Sequence, residues 1–212
     1  SPESNEYVRY SSFNTDPIAE APLYFVKYAE VCFLRAEGAL RGWDMKGTAE
    51  HFYNEGVRNS YFEDPENLIY SEFPKLVEDY LKKETPTPYV QKDPMGGEDW
   101  PSVTKIGVKW NEADDREVKL EKIITQKYIA LFPLSTEAWT ELRRTGYPKL
   151  FPVLNSEDGD GTLDVGDIIR RVPWLPTDPQ GQAIVDRSGL HALGGSDFQG
   201  TRLWWDVAGP NF

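Results

Sequence analysis

The 212-residue sequence predicts a mostly α-helical fold, in which helical hairpins are joined by long irregular segments. In residues 23–62 and 118–148, apolar residues recur at three- and four-residue spacing, which is typical of helices with one buried face. The segments between and after these stretches are rich in proline, glycine and polar residues. Such composition favours loops and extended backbone over further long helices.

The first predicted hairpin spans residues 23–62. Its first helix is predicted to end at Gly42. The second is predicted to begin at a Thr48 cap and carries Ala49, Tyr53 and Gly56 on one face. Tetratricopeptide repeats use this spacing, because small residues let the partner helix approach while the aromatic ring fills the gap. We therefore predict tetratricopeptide-like pairs, although any helical hairpin needs small residues at a close crossing.

The second predicted hairpin spans residues 118–148. Ser135 or Thr136 is the predicted cap of its second helix, and Gly146 is the predicted end. Two short helices cannot bury both of their apolar faces alone, so we expect the rest of the chain to cover them.

Two arginines near the end of this hairpin, Arg143 and Arg144, are candidates for substrate contact or for structural ion pairs. The favoured interpretation is structural, with Glu30 or Glu37 of the first hairpin as the partner.

Residues 63–117 form a long excursion between the two hairpins, with one short predicted helix. A loop of this length is usually functional or disordered, and disordered segments seldom carry tryptophans. Because a flat aromatic ring packs well on the C–H face of a sugar, Tyr89, Trp100 and Trp110 are the predicted ligand-binding residues. The alternative is that the tryptophan rings fold down and anchor the loop to the helices.

Residues 153–212 are predicted to be largely extended, with a docked aromatic end. Within them, residues 156–167 resemble a calcium-binding loop. The ligand positions would be filled by Asp158, Asp160, Thr162, Asp164 and Asp167. We favour an acidic turn instead, because Ser156 stands where Asp is expected and no suitable helix precedes the loop. No metal and no cofactor are therefore assigned.

The composition excludes some partners and disfavours catalysis. The net charge is −12 and the pI is about 4.7, so the chain lacks the basic face that nucleic acid requires. Nucleophile-elbow, phosphate-loop and His-Glu-x-x-His motifs are absent from the sequence. Nothing singles out a catalytic pair among the 35 acidic residues. The prediction is a protein that is not an enzyme.

Four stretches resemble the C-terminal part of the SusD/RagB family: YAEVCFLRAEGALRG at 28–42, QKYIALFPLSTEAWTELRRTGYP at 126–148, IIRRVPWLP at 168–176 and GGSDFQGTRLWWD at 194–206. The resemblance implies an α/α superhelix with long excursions. It also implies that residues 1–212 are one domain, the C-terminal fragment of a longer protein.

Members of that family are non-catalytic lipoproteins of the outer membrane. The resemblance implies that this protein captures a glycan or oligosaccharide at the cell surface for a TonB-dependent, SusC-like transporter. The lipid anchor is inferred from the family alone. Two alternatives stay open: a protein-interaction scaffold that docks on the transporter or a peptide without binding sugar, and a glycoside hydrolase with unrecognised carboxylates.

Overall fold

The computed structural model describes residues 24–62, 72–93, 97–153, 161–164, 166–174 and 178–212. The elements in chain order are α1 Tyr28–Leu40, α2 Ala49–Phe62, α3 Phe73–Leu81, β1 Val90–Gln91, β2 Trp100–Pro101, α4 Arg116–Ala130, α5 Ser135–Thr145, α6 Pro179–Ile184, a π-helical turn Val185–Gly189 and α7 Leu190–Leu193. The prediction of a mostly helical fold is confirmed. Within these ranges, no helix has the length and apolarity needed to cross a membrane.

Helices α1 and α2 pack closely against each other, as the small-residue spacing predicts. A Cβ atom on Gly56 would lie 2.7 Å from the Phe33 ring, so only glycine fits at this crossing. The Oγ1 atom of Thr48 accepts a hydrogen bond from the His51 N–H (3.1 Å), which confirms the predicted cap of α2. Gly42 follows α1 with a φ of +86°, a conformation that glycine adopts without strain.

Helix α4 packs against this pair and leads into α5. Asp115 caps α4 through a hydrogen bond from the Val118 N–H (2.9 Å). Gly146 ends α5 in the left-handed conformation, as predicted. The predicted cap at Ser135 or Thr136 is wrong: Ser135 is already the first helical residue, and Leu134 before it has no side chain that can accept a hydrogen bond.

A buried ionic cluster joins α1, α4 and α5. The guanidinium of Arg144 donates to both carboxylate oxygens of Glu37 (2.8 and 2.7 Å) and to Glu141 (2.7 Å). The ammonium of Lys127, 3% exposed, lies 3.5 Å from carboxylates of Glu30 and Glu141. The predicted ion pair between the hairpins is thus confirmed for Arg144 and Glu37.

The end of the excursion is built into the core. The Val108 N–H donates to the Lys83 carbonyl (2.8 Å) after α3, and the Val108 carbonyl accepts from the buried Tyr53 hydroxyl (2.6 Å). Trp110 then lies against the Tyr53 ring, with centroids 5.2 Å apart.

The C-terminal region is docked on α4 and α5. The Trp139 indole donates to the Ile169 carbonyl (2.8 Å), and Arg143 donates to the Arg170 carbonyl (2.6 Å). Near the end of the chain, the Asn211 side chain donates to Glu117 of α4 (3.1 Å). This docking was predicted.

Candidate functional site

Two of the three predicted ligand-binding residues lie on one small β-ribbon. Strand β1 pairs antiparallel with β2, with Gln91 opposite Trp100. The Ser102 N–H donates to the Tyr89 carbonyl (2.8 Å), which extends the pairing by one residue. Opposite residues share a face of a ribbon, and so do alternate residues. Tyr89 and Trp100 are therefore diagonal neighbours on the same face.

These two rings differ in what they offer a ligand. The Tyr89 side chain is 57% exposed. Trp100 is half-buried, and its indole N–H is buried without an acceptor among the described residues. The Trp100 N–H is therefore not accessible to a ligand, whereas the Tyr89 ring is.

Tyr89 contacts Phe151, which lines a cavity of about 170 Å³. The two ring centroids are 6.0 Å apart with an interplanar angle of 61°, an edge-to-face arrangement. The cavity is lined by the end of α5, by residues 148–151 after it, and by residues 166–168 and 170. We name Tyr89, Phe151 and this cavity the Tyr89 groove.

The Tyr89 groove combines apolar walls with groups of both charges. Lys149, Asp167 and Arg170 line the cavity beside Leu150 and Phe151. The Arg170 guanidinium also lies 3.4 Å from the Asp206 carboxylate, which holds it in place. An exposed aromatic ring next to a few polar groups is the general composition of a small-molecule site.

A carboxyl group with a perturbed pKa lies near this groove but does not line it. Burial raises the pKa of Glu121, and the nearby ammonium of Lys149 partly offsets that effect. Among the described residues that line the cavity, Asp167 supplies the one carboxylate.

Trp110, the third predicted ligand-binding residue, does not join the Tyr89 groove. Its side chain is 6% exposed and belongs to the hydrophobic core. Its indole N–H donates to Glu112 (2.9 Å), and the Lys119 ammonium lies over its ring, 5.7 Å from the centroid. This is the position expected of a loop anchor, the alternative that the sequence left open.

Sequence reasoning did not single out Phe151, Lys149 or Arg170 as parts of a site. Phe151 and Lys149 follow the end of α5 with no periodic pattern. Phe151 contacts Tyr89, which lies 62 positions earlier in the chain, so this contact depends on tertiary structure. The one signal available in the sequence is the run of basic and apolar residues, Lys149 to Phe151, that follows the predicted end of the helix.

Half of the residues of the candidate calcium loop, including Asp158 and Asp160, lie outside the described residues. Gly161 has a φ of +68°, as a sharp turn requires. In the part of the chain that the structure describes, no three metal-ligating side chains come together. The acidic turn stays the prediction, with the calcium loop as its alternative.

Comparison with known proteins gives a family model described as SusD-like, the SusD and RagB outer membrane lipoproteins, which matches residues 1–206. No curated protein matches the chain.

Solved structures that the chain resembles include a chitin-binding SusD homologue from Flavobacterium johnsoniae, at 41% identity and a TM-score of 0.76, covering 90% of this chain and 38% of that one. A SusD homologue from Bacteroides uniformis is 39% identical, with a TM-score of 0.75 and coverage of 89% and 38%. One from Bacteroides thetaiotaomicron is 36% identical, with a TM-score of 0.76 and coverage of 94% and 44%. The chain thus spans about two-fifths of the length of these structures.

Proposed function

The chain belongs to the SusD-like family, and on that premise we propose that it takes part in non-catalytic glycan binding at the outer-membrane cell surface. The bound oligosaccharide would pass to a TonB-dependent, SusC-like transporter. The observation that carries this proposal is the exposed Tyr89 ring, which contacts Phe151 beside a cavity lined by polar groups of both charges.

The Tyr89 groove has the chemistry that saccharide recognition uses. One face of a pyranose is a set of C–H groups, which pack on an aromatic ring, and its hydroxyls both donate and accept hydrogen bonds. Tyr89 supplies the ring, Asp167 an acceptor and Arg170 a donor.

The first ligand to test is a chitin oligosaccharide. The Flavobacterium relative is a chitin-binding protein and is 41% identical to this chain. Binding without hydrolysis is supported by membership of the SusD-like family, whereas glycoside hydrolysis generally uses a pair of carboxylates.

Isothermal titration calorimetry with chitohexaose tests the proposal. We expect saturable binding that Tyr89→Ala weakens by about tenfold, or about 1.4 kcal/mol, the size of an aromatic contact. Tyr28→Ala is the matched control, because Tyr28 is similarly exposed (61%) on α1. Equal affinities of the two variants would contradict the Tyr89 groove as the site. Release of shorter sugars would support the hydrolase alternative.

A protein-interaction scaffold is the second candidate function, and the outer face of the helices favours it. Tyr28 and Leu34 of α1, and Ile129 at the end of α4, are 47–61% exposed on a helical framework. Exposed apolar surface of this kind is typical of docking sites for another protein. Transporter binding without any response to saccharides would support this candidate over the first.

A further inference from the structure

A second cavity, distinct in its lining from the Tyr89 groove, lies where the excursion returns to α4. Its volume is about 340 Å³, at the lower end of the range of about 300–1,000 Å³ for small-molecule pockets. It is lined by Glu84, Lys109, Trp110, Asn111, Asp114 and Lys122. The predicted ligand-binding residue Trp110 thus contacts a cavity, although its ring is part of the core.

Lys122 presents a buried ammonium group to this cavity. The side chain is 6% exposed, and its ammonium donates to the Lys109 carbonyl (2.7 Å) and to an oxygen of Asp114 (2.6 Å). An ammonium has three N–H donors, and the third has no acceptor among the residues that the structure describes. A buried donor with unused capacity in a cavity wall favours an added acceptor.

Acceptors stand beside that donor in fixed positions. The second oxygen of Asp114 accepts from the Asn111 side chain (3.1 Å), which orients the carboxylate and leaves lone pairs for another donor. A hydroxyl group can accept from Lys122 and donate to Asp114 at once. Two neighbouring hydroxyls on one sugar ring could form hydrogen bonds with both Lys122 and Asp114, whereas an apolar ligand could form none.

The charges of the lining balance. Two lysines face two carboxylates, and Lys109 pairs with Glu84 at the rim (2.7 Å). The whole chain has a net charge of −12, so it repels an anionic ligand. The cavity lining has no excess positive charge to offset that repulsion. A neutral polyhydroxylated ligand fits this lining better than an acidic one.

From these observations we infer that the cavity between Trp110 and Lys122 binds one neutral sugar residue, separately from the Tyr89 groove. The ring carbons would pack on the accessible edge of Trp110, and adjacent hydroxyls would bridge Lys122 and Asp114. This inference rests on the proposed function, because it takes the chain to be a glycan-binding protein, and it adds a second pocket that selects neutral sugars.

Fluorine NMR of the protein labelled with fluorotryptophan tests this inference, with the Trp110 resonance assigned from Trp110→Phe. N-acetylglucosamine, glucose and glucuronic acid serve as probes. We expect a saturable shift of the Trp110 resonance with a neutral sugar, retained in Tyr89→Ala. Lys122→Met should weaken that response by about tenfold or more, the effect of removing a charge-assisted hydrogen bond.

Two further variants separate binding from folding. Asn111→Ala changes an exposed side chain at the cavity, so it should keep the fold and still weaken the response. Lys82→Met is the matched control, because Lys82 is exposed, pairs with Asp79 (3.1 Å) and does not line the cavity. It should leave the titration unchanged.

The possible outcomes separate this inference from the proposed function. Chitohexaose binding that Tyr89→Ala removes, with no shift of the Trp110 resonance for any sugar, would overturn the second pocket alone. No binding of any saccharide would overturn both proposals. An equal or stronger response to glucuronic acid would contradict the neutral selectivity inferred from the lining.

Discussion

Removing the Glu37 carboxylate should destabilise the protein strongly. Glu37 is 7% exposed and accepts two hydrogen bonds from Arg144 and one from Arg41 (2.9 Å). Loss of one partner from a buried ion pair costs about 3–5 kcal/mol. Arg144 keeps Glu141 as a partner and its side chain is 31% exposed, so we expect Glu37→Gln to cost about 3 kcal/mol, at the lower end of that range.

Urea unfolding at pH 7, followed by tryptophan fluorescence, measures this loss. Glu78→Gln is the control, since Arg58 and Glu78 form a pair at 2.7 Å with both side chains at least one-third exposed. Exposed pairs contribute about 0–1 kcal/mol. Equal losses in the two variants would refute the reasoning that burial of the cluster determines its contribution.

The Glu37 carboxyl should also make the free energy of unfolding depend on pH. Burial alone would raise the pKa of the Glu37 carboxyl, but hydrogen bonds from Arg144 and Arg41 outweigh it and hold that pKa below its usual value. A carboxyl whose pKa is lowered by folding stabilises the folded state above its unfolded pKa of about 4.3. This stabilisation is lost as the pH falls through the folded pKa. The free energy of unfolding should therefore fall more steeply below about pH 4 for the parent than for Glu37→Gln.

Three other changes have expected outcomes. Trp110→Ala should cost about 3–5 kcal/mol in urea unfolding, because it empties a core position; a loss under about 1 kcal/mol would contradict the core assignment. Gly56→Ala should cost about 1–3 kcal/mol, because its Cβ would clash with the Phe33 ring, and an unchanged denaturation midpoint would show that the helices can separate there. Asn211→Ala should cost about 1 kcal/mol by removing the hydrogen bond to Glu117, and faster proteolysis of the C-terminal segment should accompany it.

The helical framework could be predicted because its signals are local. The Thr48 cap and the small residue Gly56 act through neighbours one or two turns away or through the adjacent helix. The Arg144–Glu37 pair spans 107 positions, yet it was predictable because two helical hairpins whose apolar faces must be covered bring residues of opposite charge within reach of each other.

The candidate site could be predicted only in part, for the opposite reason. The excursion has no periodicity, so its aromatic residues could be identified but their orientation could not. Tyr89 and Trp100 share a ribbon face because of strand register, whereas Trp110 is held in the core by Tyr53, 57 positions earlier. Phe151 was not predicted, because its contact with Tyr89 depends on tertiary structure.

A crystal structure of the protein with chitohexaose tests the central claim most directly. The account predicts a pyranose ring stacked on Tyr89 beside Phe151, with hydroxyls within hydrogen-bond distance of Asp167 or Arg170. An ordered oligosaccharide bound elsewhere, with the Tyr89 groove empty, would contradict it.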